Sequence, residues 1–392
     1  MQLPIYFDYS STTPLDKEVF EEMIPYFFEK FGNASSIHSF GQNAKFGLEE
    51  SRNKIAKFIN TKPQEIVFLS SGTEANNFAL RGIASVMKRK NKNHIITTKI
   101  EHSSILETCN YLSQLGFEIS YCDVDEFGII KIDSLKNLIR EKTFLISIMH
   151  VNNEIGTINP VLEIGKIAKE NEIIFHCDAV QSFGKISIDV ENLNCDLMSF
   201  SSHKIYGPKG IAALFVKRGL EIEPLIFGGQ QERGKRSGTE AIPLIVGFAK
   251  ATEKIFSLQK QELQKMLELK NLFIASINEK FSYFKNNPII INGSNSSLAN
   301  ILNISIDSSK MKIDGETLLL NLDLEGIATT SGSACSSGSM KPSHVLLALG
   351  KDEKTALATI RFSFGRNTTQ EEILYASNKL FEIVKKIGTE II

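Results

Sequence analysis

The 392-residue chain contains no apolar run of the roughly 20 residues needed to cross a bilayer as a helix. Its first residues, Met1-Gln2-Leu3-Pro4, show no basic segment followed by an apolar one, so no secretory signal is expected. Cysteine is scarce: five residues, Cys109, Cys122, Cys177, Cys195 and Cys335, an odd number with no CxxC spacing. That pattern argues against a disulfide framework or a structural zinc site. Reduced thiols in a soluble, cytoplasmic protein without membrane attachment are the expectation. Charge of one sign is also lacking, with 44 Lys and Arg against 45 Asp and Glu, a net charge of −1. Bulk charge therefore gives no reason to expect direct nucleic-acid binding. Short basic runs such as Lys88-Arg89-Lys90 read as solvated helix ends. There is no internal repeat and no low-complexity linker.

What is present is an ordinary globular composition, 42% hydrophobic and 23% charged, in a chain long enough for two domains. Strand-length apolar runs at 65–69, 94–98, 118–121, 144–149 and 173–175 alternate with helical stretches at 47–60, 71–90, 104–116 and 164–170. This alternation predicts an α/β fold with a mostly parallel, doubly wound sheet covered on both faces. Near residue 250 the pattern changes. A long amphipathic helix over 251–281 precedes strands at 300–306 and 360–363 and helices at 315–322 and 370–386. This half reads as a smaller α+β domain. We set the large domain at 15–255 and the small domain at 1–14 and 256–392.

Four polar segments follow apolar strands, where open α/β sheets collect ligands. Ser71-Gly72-Thr73-Glu74 opens a helix, and reads either as a phosphate cradle or as a plain N-cap. Glu101-His102 offers a histidine that could stack on a ring or move protons, or be structural. His176-Cys177-Asp178-Ala179-Val180-Gln181 offers a strand-end carboxylate able to pair with a protonated ring nitrogen. Metal ligation by three adjacent strand residues is disfavoured, because neighbours point to opposite faces. The fourth segment, Ser199 to Gly210, sets Lys204 among Ser201, Ser202 and His203 ahead of a Gly-Pro turn. Schiff-base catalysis needs such a lysine, deprotonated by burial and neighbouring cations. Cys335 lies in Ser331-Gly332-Ser333-Ala334-Cys335-Ser336-Ser337-Gly338-Ser339, whose small residues predict a mobile, exposed loop and a reactive thiol. The other four cysteines sit in or beside apolar segments and read as inert.

These residues resemble the cysteine desulfurases, pyridoxal-phosphate (PLP) enzymes of the class V aminotransferase group. The likeness runs from Asp8-Tyr9-Ser10-Ser11-Thr12-Thr13-Pro14 through Thr73-Glu74-Ala75-Asn76-Asn77, Asn152-Asn153-Glu154-Ile155-Gly156-Thr157, Ser201 to Gly210 and Arg236-Ser237-Gly238-Thr239. It ends in Ile360-Arg361-Phe362-Ser363 with Gly365-Arg366. The Ser/Gly loop around Cys335 is similar to that of the housekeeping and nitrogen-fixation branch.

The resemblance implies the aspartate-aminotransferase-like fold (fold type I) and a homodimer. It implies that Lys204 holds PLP covalently, Asp178 pairs with the ring nitrogen, His102 stacks on the ring and Gln181 bonds the ring oxygen. Gly72, Thr73, Ser201 and His203 would bind the phosphate, with Thr239 arriving from the second subunit. Asn153 and Arg361 would hold the carboxylate of L-cysteine, and Cys335 would take its sulfur, with Lys204 and His102 as acid/base groups. Sulfur would pass to acceptor proteins such as an iron–sulfur scaffold, for cluster assembly or tRNA thiolation. Ser11 stands where the family often has Ala, a replacement expected to be harmless. Two rivals are another class V PLP enzyme, which would not need Cys335, and a sulfur carrier, which would not need Lys204 and Asp178.

Overall fold

The computed structural model describes residues 4–332 and 341–391. Cys335 and residues 333–339 of the loop expected around it lie outside the described residues. Among the described residues, the larger sheet has seven strands. Their order is Ile66–Leu69, Ala212–Val216, Leu197–Ser201, Ile174–Asp178, Thr143–Met149, His94–Thr98 and Glu118–Cys122. Only Ala212–Val216 runs against its neighbours; the other adjacent pairs are parallel. Thr143–Met149, Leu197–Ser201 and Ala212–Val216 are buried at every position. Such continuous burial belongs to a sheet covered on both faces. One face packs on Ile55, Phe183, Phe200 and Phe248, the other on Phe78, Ile83, Leu145 and Leu214.

A second, antiparallel sheet has the order Thr359–Ser363, Ile301–Ile306, Ile289–Asn292. Its core gathers Phe273, Ile277, Phe281, Ile304, Phe362 and Leu380, together with Ile5 and Phe7 from the N-terminal arm. The arm pairs in parallel with Ile327–Ala328, and Asp8 bridges to Ser363.

The two cores share one helix, Ile242–Phe281, of 40 residues, about 60 Å long at 1.5 Å per residue. Its first turns bury Ile245 and Phe248 against the large sheet; its last turns bury Phe273 and Phe281 against the small one. The sequence pattern places this start at residue 251. The helix begins nine residues earlier because Pro243 falls in its first turn, where a missing N–H costs nothing. The helix Ser103–Gln114 ends as its sequence predicts: Gly116 takes φ +89°, and the N–H groups of Gly116 and Phe117 return to Ser113 and Leu112. No helix among the described residues is long and apolar enough to cross a membrane.

Cys109, Cys122, Cys177 and Cys195 are free and buried. Burial pushes the Cys109 thiol up to about 12 and the Cys122 thiol to about 11, and raises Cys177 well above its ordinary value. Thiols held protonated in this way are poor nucleophiles.

Candidate active site

The strand registers bring the polar segments level. Asp178 stands beside Met149 and Ser199, and Ser201 beside Ala212, at one end of the large sheet. Residues of all four segments (Gly72 and Thr73, His102, Asp178 and Gln181, Ser201, His203 and Lys204) line one cavity of about 610 Å³. Asn153 and Arg361 line it as well, as do Ser10 and Ser11 of the N-terminal arm. Asp178 is the last residue of its strand, which runs three residues further than its apolar pattern indicates.

Asp178 is buried and held by two donors. Asn76 Nδ2 donates to Oδ2 at 2.7 Å, and the Val180 amide donates to Oδ1 at 3.0 Å. Asn76, 1% exposed, carries no sequence signal of its own beyond lying in the Thr73–Asn77 motif. His102 caps the helix Ser103–Gln114, and its Nδ1 accepts from the Ser104 amide at 3.1 Å. That bond leaves the ring proton on Nε2. The cavity walls push the His102 pKa down, opposed by the charge of Asp178. His176 faces away from any ligand role: its ring nitrogens lie 2.9 Å from Ser147 Oγ and 3.0 Å from Ser199 Oγ. Cys177 points into the opposite, apolar layer.

Lys204 Nζ donates to two carbonyls of the N-terminal arm, Ser10 O at 2.5 Å and Ser11 O at 2.7 Å. Neither acceptor carries a full charge. Burial, then the cations of Lys185 and Arg361, lower its pKa from 10.5 to about 7, against the pull of Asp8 and Asp178. His203 is pushed to about 4 by burial and by Lys204, Lys209 and Lys185. Gln181 Nε2 donates to the same Ser10 carbonyl at 2.9 Å.

At the start of the helix Gly72–Arg89, Ser71 Oγ accepts from the Glu74 amide at 3.1 Å. The N-cap reading therefore holds locally. Two further observations point to an anion as well. A Cβ on Gly72 would stand 3.0 Å from Val180 Cγ2, a tight contact, and 3.7 Å from Ser201 Cβ, so glycine leaves the most room for a ligand beside the backbone here. Ser201 Oγ is buried and has no hydrogen-bond partner within the protein, so it is free to bond a group in the cavity, as buried hydroxyls nearly always bond to something.

The opposite wall comes from the small sheet and the arm. Arg361, 3% exposed, donates through Nη1 to Asn153 O at 2.9 Å. Its Nη2 lies 2.7 Å from Asp8 Oδ1 and 2.7 Å from Ser11 Oγ. Ser11 is thus no spectator: its hydroxyl also donates to Asp8 Oδ1 at 2.8 Å. Thr239 is exposed and does not line the cavity of its own chain.

The family model of the class-V aminotransferases matches residues 5–375. The chain is 47% identical over 389 residues to the cysteine desulfurase IscS of Dictyoglomus turgidum, covering 99% of this chain and 96% of that one. A solved "NifS-like protein" superposes with a TM-score of 0.90 at 39% identity, covering 98% of this chain and 100% of the other. A structure described as SspA in complex with cysteine gives 0.81 at 36% identity, over 92% and 98% of the two chains. Such proteins depend on PLP, and the residues present fit that group. A low-pKa lysine, a buried carboxylate at a strand end, and an unpartnered hydroxyl beside a glycine at a helix start all face one cavity. With fold, cavity chemistry and full-length similarity in agreement, the chain belongs to the class-V aminotransferase family, among its cysteine desulfurases.

Proposed function

We propose that the protein removes sulfur from L-cysteine, releasing L-alanine and carrying the sulfur as a persulfide on Cys335. The observation that carries this reading is Lys204, with its pKa near 7, in one cavity with Asp178 and His102. Lys204 would hold PLP, with Asp178 at its ring nitrogen, His102 on its ring face and Gln181 at its ring oxygen. Gly72, Thr73, Ser201 and His203 would take the phosphate. When bound, PLP supplies an electron sink for charge developing on the substrate carbons. Asn153 and Arg361 would orient the substrate carboxylate, Arg361 by its planar fork. Lys204 Nζ, neutral for part of the time at neutral pH, can take and return a proton, with His102 Nε2 as a second proton carrier. The Cys335 thiolate then attacks the substrate sulfur. An S–S bond forms, the Cβ–S bond breaks, and its electron pair stays with the three-carbon fragment, which gains a proton and leaves as alanine.

The working unit in this reading is a homodimer. Phe28, Phe31, Ile37 and Phe46 are 75%, 62%, 92% and 68% exposed on the N-terminal segment, large apolar side chains that a second subunit would cover. Thr239, exposed in its own chain, would reach the second subunit's phosphate. We assign residues 15–255 to a large domain and 1–14 with 256–392 to a small one. The division of the core supports this: one cluster runs from Val19 to Ile255, the other takes Ile5 and Phe7 with Met266 onward. Sulfur would go to acceptor proteins such as an iron–sulfur scaffold. The buried free thiols suit a reducing, cytoplasmic setting.

The test is alanine and sulfide production from L-cysteine, with PLP and a reductant, by native protein and Cys335→Ala. The expected result is both products from the native protein and neither from a variant that stays yellow. Sulfide release by Cys335→Ala at the native rate would instead indicate a lyase that eliminates sulfur directly.

A further inference from the structure

A carboxylate grips a guanidinium through two parallel N–H bonds along one of two edges, Nε with Nη2 or Nη1 with Nη2. Both edges use Nη2. In this chain Nη2 of Arg361 is already engaged by Asp8 Oδ1 at 2.7 Å and Ser11 Oγ at 2.7 Å, with Thr330 Oγ1 further off at 3.3 Å. Its two hydrogens are therefore committed. Nε, by contrast, is buried and has no partner. Half of the Nε–Nη2 edge is ready for a ligand and the other half is taken.

The two groups holding Nη2 are not equivalent. Asp8 is charged and does not line the cavity, whereas Ser11 is neutral and does. Ser11 Oγ also keeps a second bond, donating to Asp8 Oδ1 at 2.8 Å, so it can release Arg361 without losing every partner. A ligand arriving from the cavity meets Ser11 first and displaces the weaker acceptor.

We infer that the Ser11 hydroxyl is a placeholder in the carboxylate subsite, and that it sets how tightly the protein holds an α-amino acid. Asp8 stays behind Arg361 as its fixed counter-charge. Ser11 is a specificity-determining residue that acts through Arg361. The inference rests on the desulfurase reading only for the class of ligand.

The test is calorimetric titration of the PLP-loaded protein with L-alanine and with L-alaninamide, which lacks the carboxylate. Ser11→Ala removes the placeholder. It should bind alanine about three- to tenfold more tightly, the worth of one net hydrogen bond, with no gain for alaninamide. Ser11→Thr keeps the hydroxyl and should keep the native ratio of the two affinities. An alanine-to-alaninamide ratio in Ser11→Ala that stays the same or falls overturns the inference. So does an equal gain for both ligands, since that reports a general change in the cavity. Failure of the desulfurase reading shows elsewhere, as native protein that makes no alanine from L-cysteine.

Discussion

The two walls of the cavity are built on different principles. The large-sheet wall presents groups that wait for a partner: Ser201 Oγ has none, Lys204 bonds only to neutral carbonyls, and burial holds His203 and Lys204 away from their charged forms. The small-sheet wall presents a mostly paired cluster, with Arg361 held by Asp8, Ser11 and the Asn153 carbonyl while its Nε is left unpartnered. An open wall suits a group that binds once and stays. A self-paired wall suits a ligand that comes and goes each cycle, because its cation never stands bare in a buried site. Mutations on the two walls should therefore fail differently, one in chemistry and the other in stability.

The largest effect should come from the open wall. Lys204→Ala removes the amine that would hold PLP and move the proton. Alanine production should fall by more than about ten-thousandfold, beyond the 10²–10⁴ typical of a single acid/base group, because the cofactor's attachment goes with the proton carrier. The unfolding midpoint should hold or rise, because a buried cation is removed. Near-native turnover in Lys204→Ala would remove the lysine from the mechanism and erase the contrast between the walls. On the closed wall, Asp8→Ala leaves the 3%-exposed guanidinium of Arg361 without its counter-charge. Breaking a buried pair from one side costs about 3 kcal/mol. Urea unfolding should show that loss as a lower midpoint at an unchanged slope. A loss under about 0.5 kcal/mol would mean that Ser11 and Thr330 suffice to hold Arg361, as they would at a surface site.

The same contrast explains what could be read in the sequence. Asp178 and Lys204 stand out because each ends or follows a buried strand that opens on apolar residues, so polar groups there mark the sheet's carboxyl edge. Asn76 does not stand out: an asparagine inside a helix reads as surface, and only packing turns it onto Asp178. The closed wall is harder still. Asp8 meets Arg361 across 353 residues of chain, and no local pattern encodes such a contact. Ser11 seemed a harmless replacement on sequence grounds for the same reason. The strand Ile289–Asn292 is short and only partly buried, which leaves its apolar pattern weak. The large sheet is legible because both of its faces are covered, and five of its seven strands are buried at every position and carry apolar runs.

The gentlest probe of the open wall is pH. A protonated amine is no nucleophile, so cofactor loading needs neutral Lys204. Its pKa is lowered to about 7, so the amine is mostly charged below that pH and mostly free above it. The rate at which apoprotein gains visible absorbance with PLP should thus rise roughly tenfold from pH 6 to pH 8 and then level off. An ordinary lysine, with a pKa of 10.5, would gain about a hundredfold over the same range with no plateau. The plateau is the deciding feature, because it dates the loss of the proton to the neutral range. Asp8→Ala sharpens the measurement. Asp8 is one of the charges that raise the Lys204 pKa, so removing it should move the plateau to lower pH. An unmoved plateau in that variant would show that the charge of Asp8 does not reach the lysine, and that burial and its neighbouring cations set it.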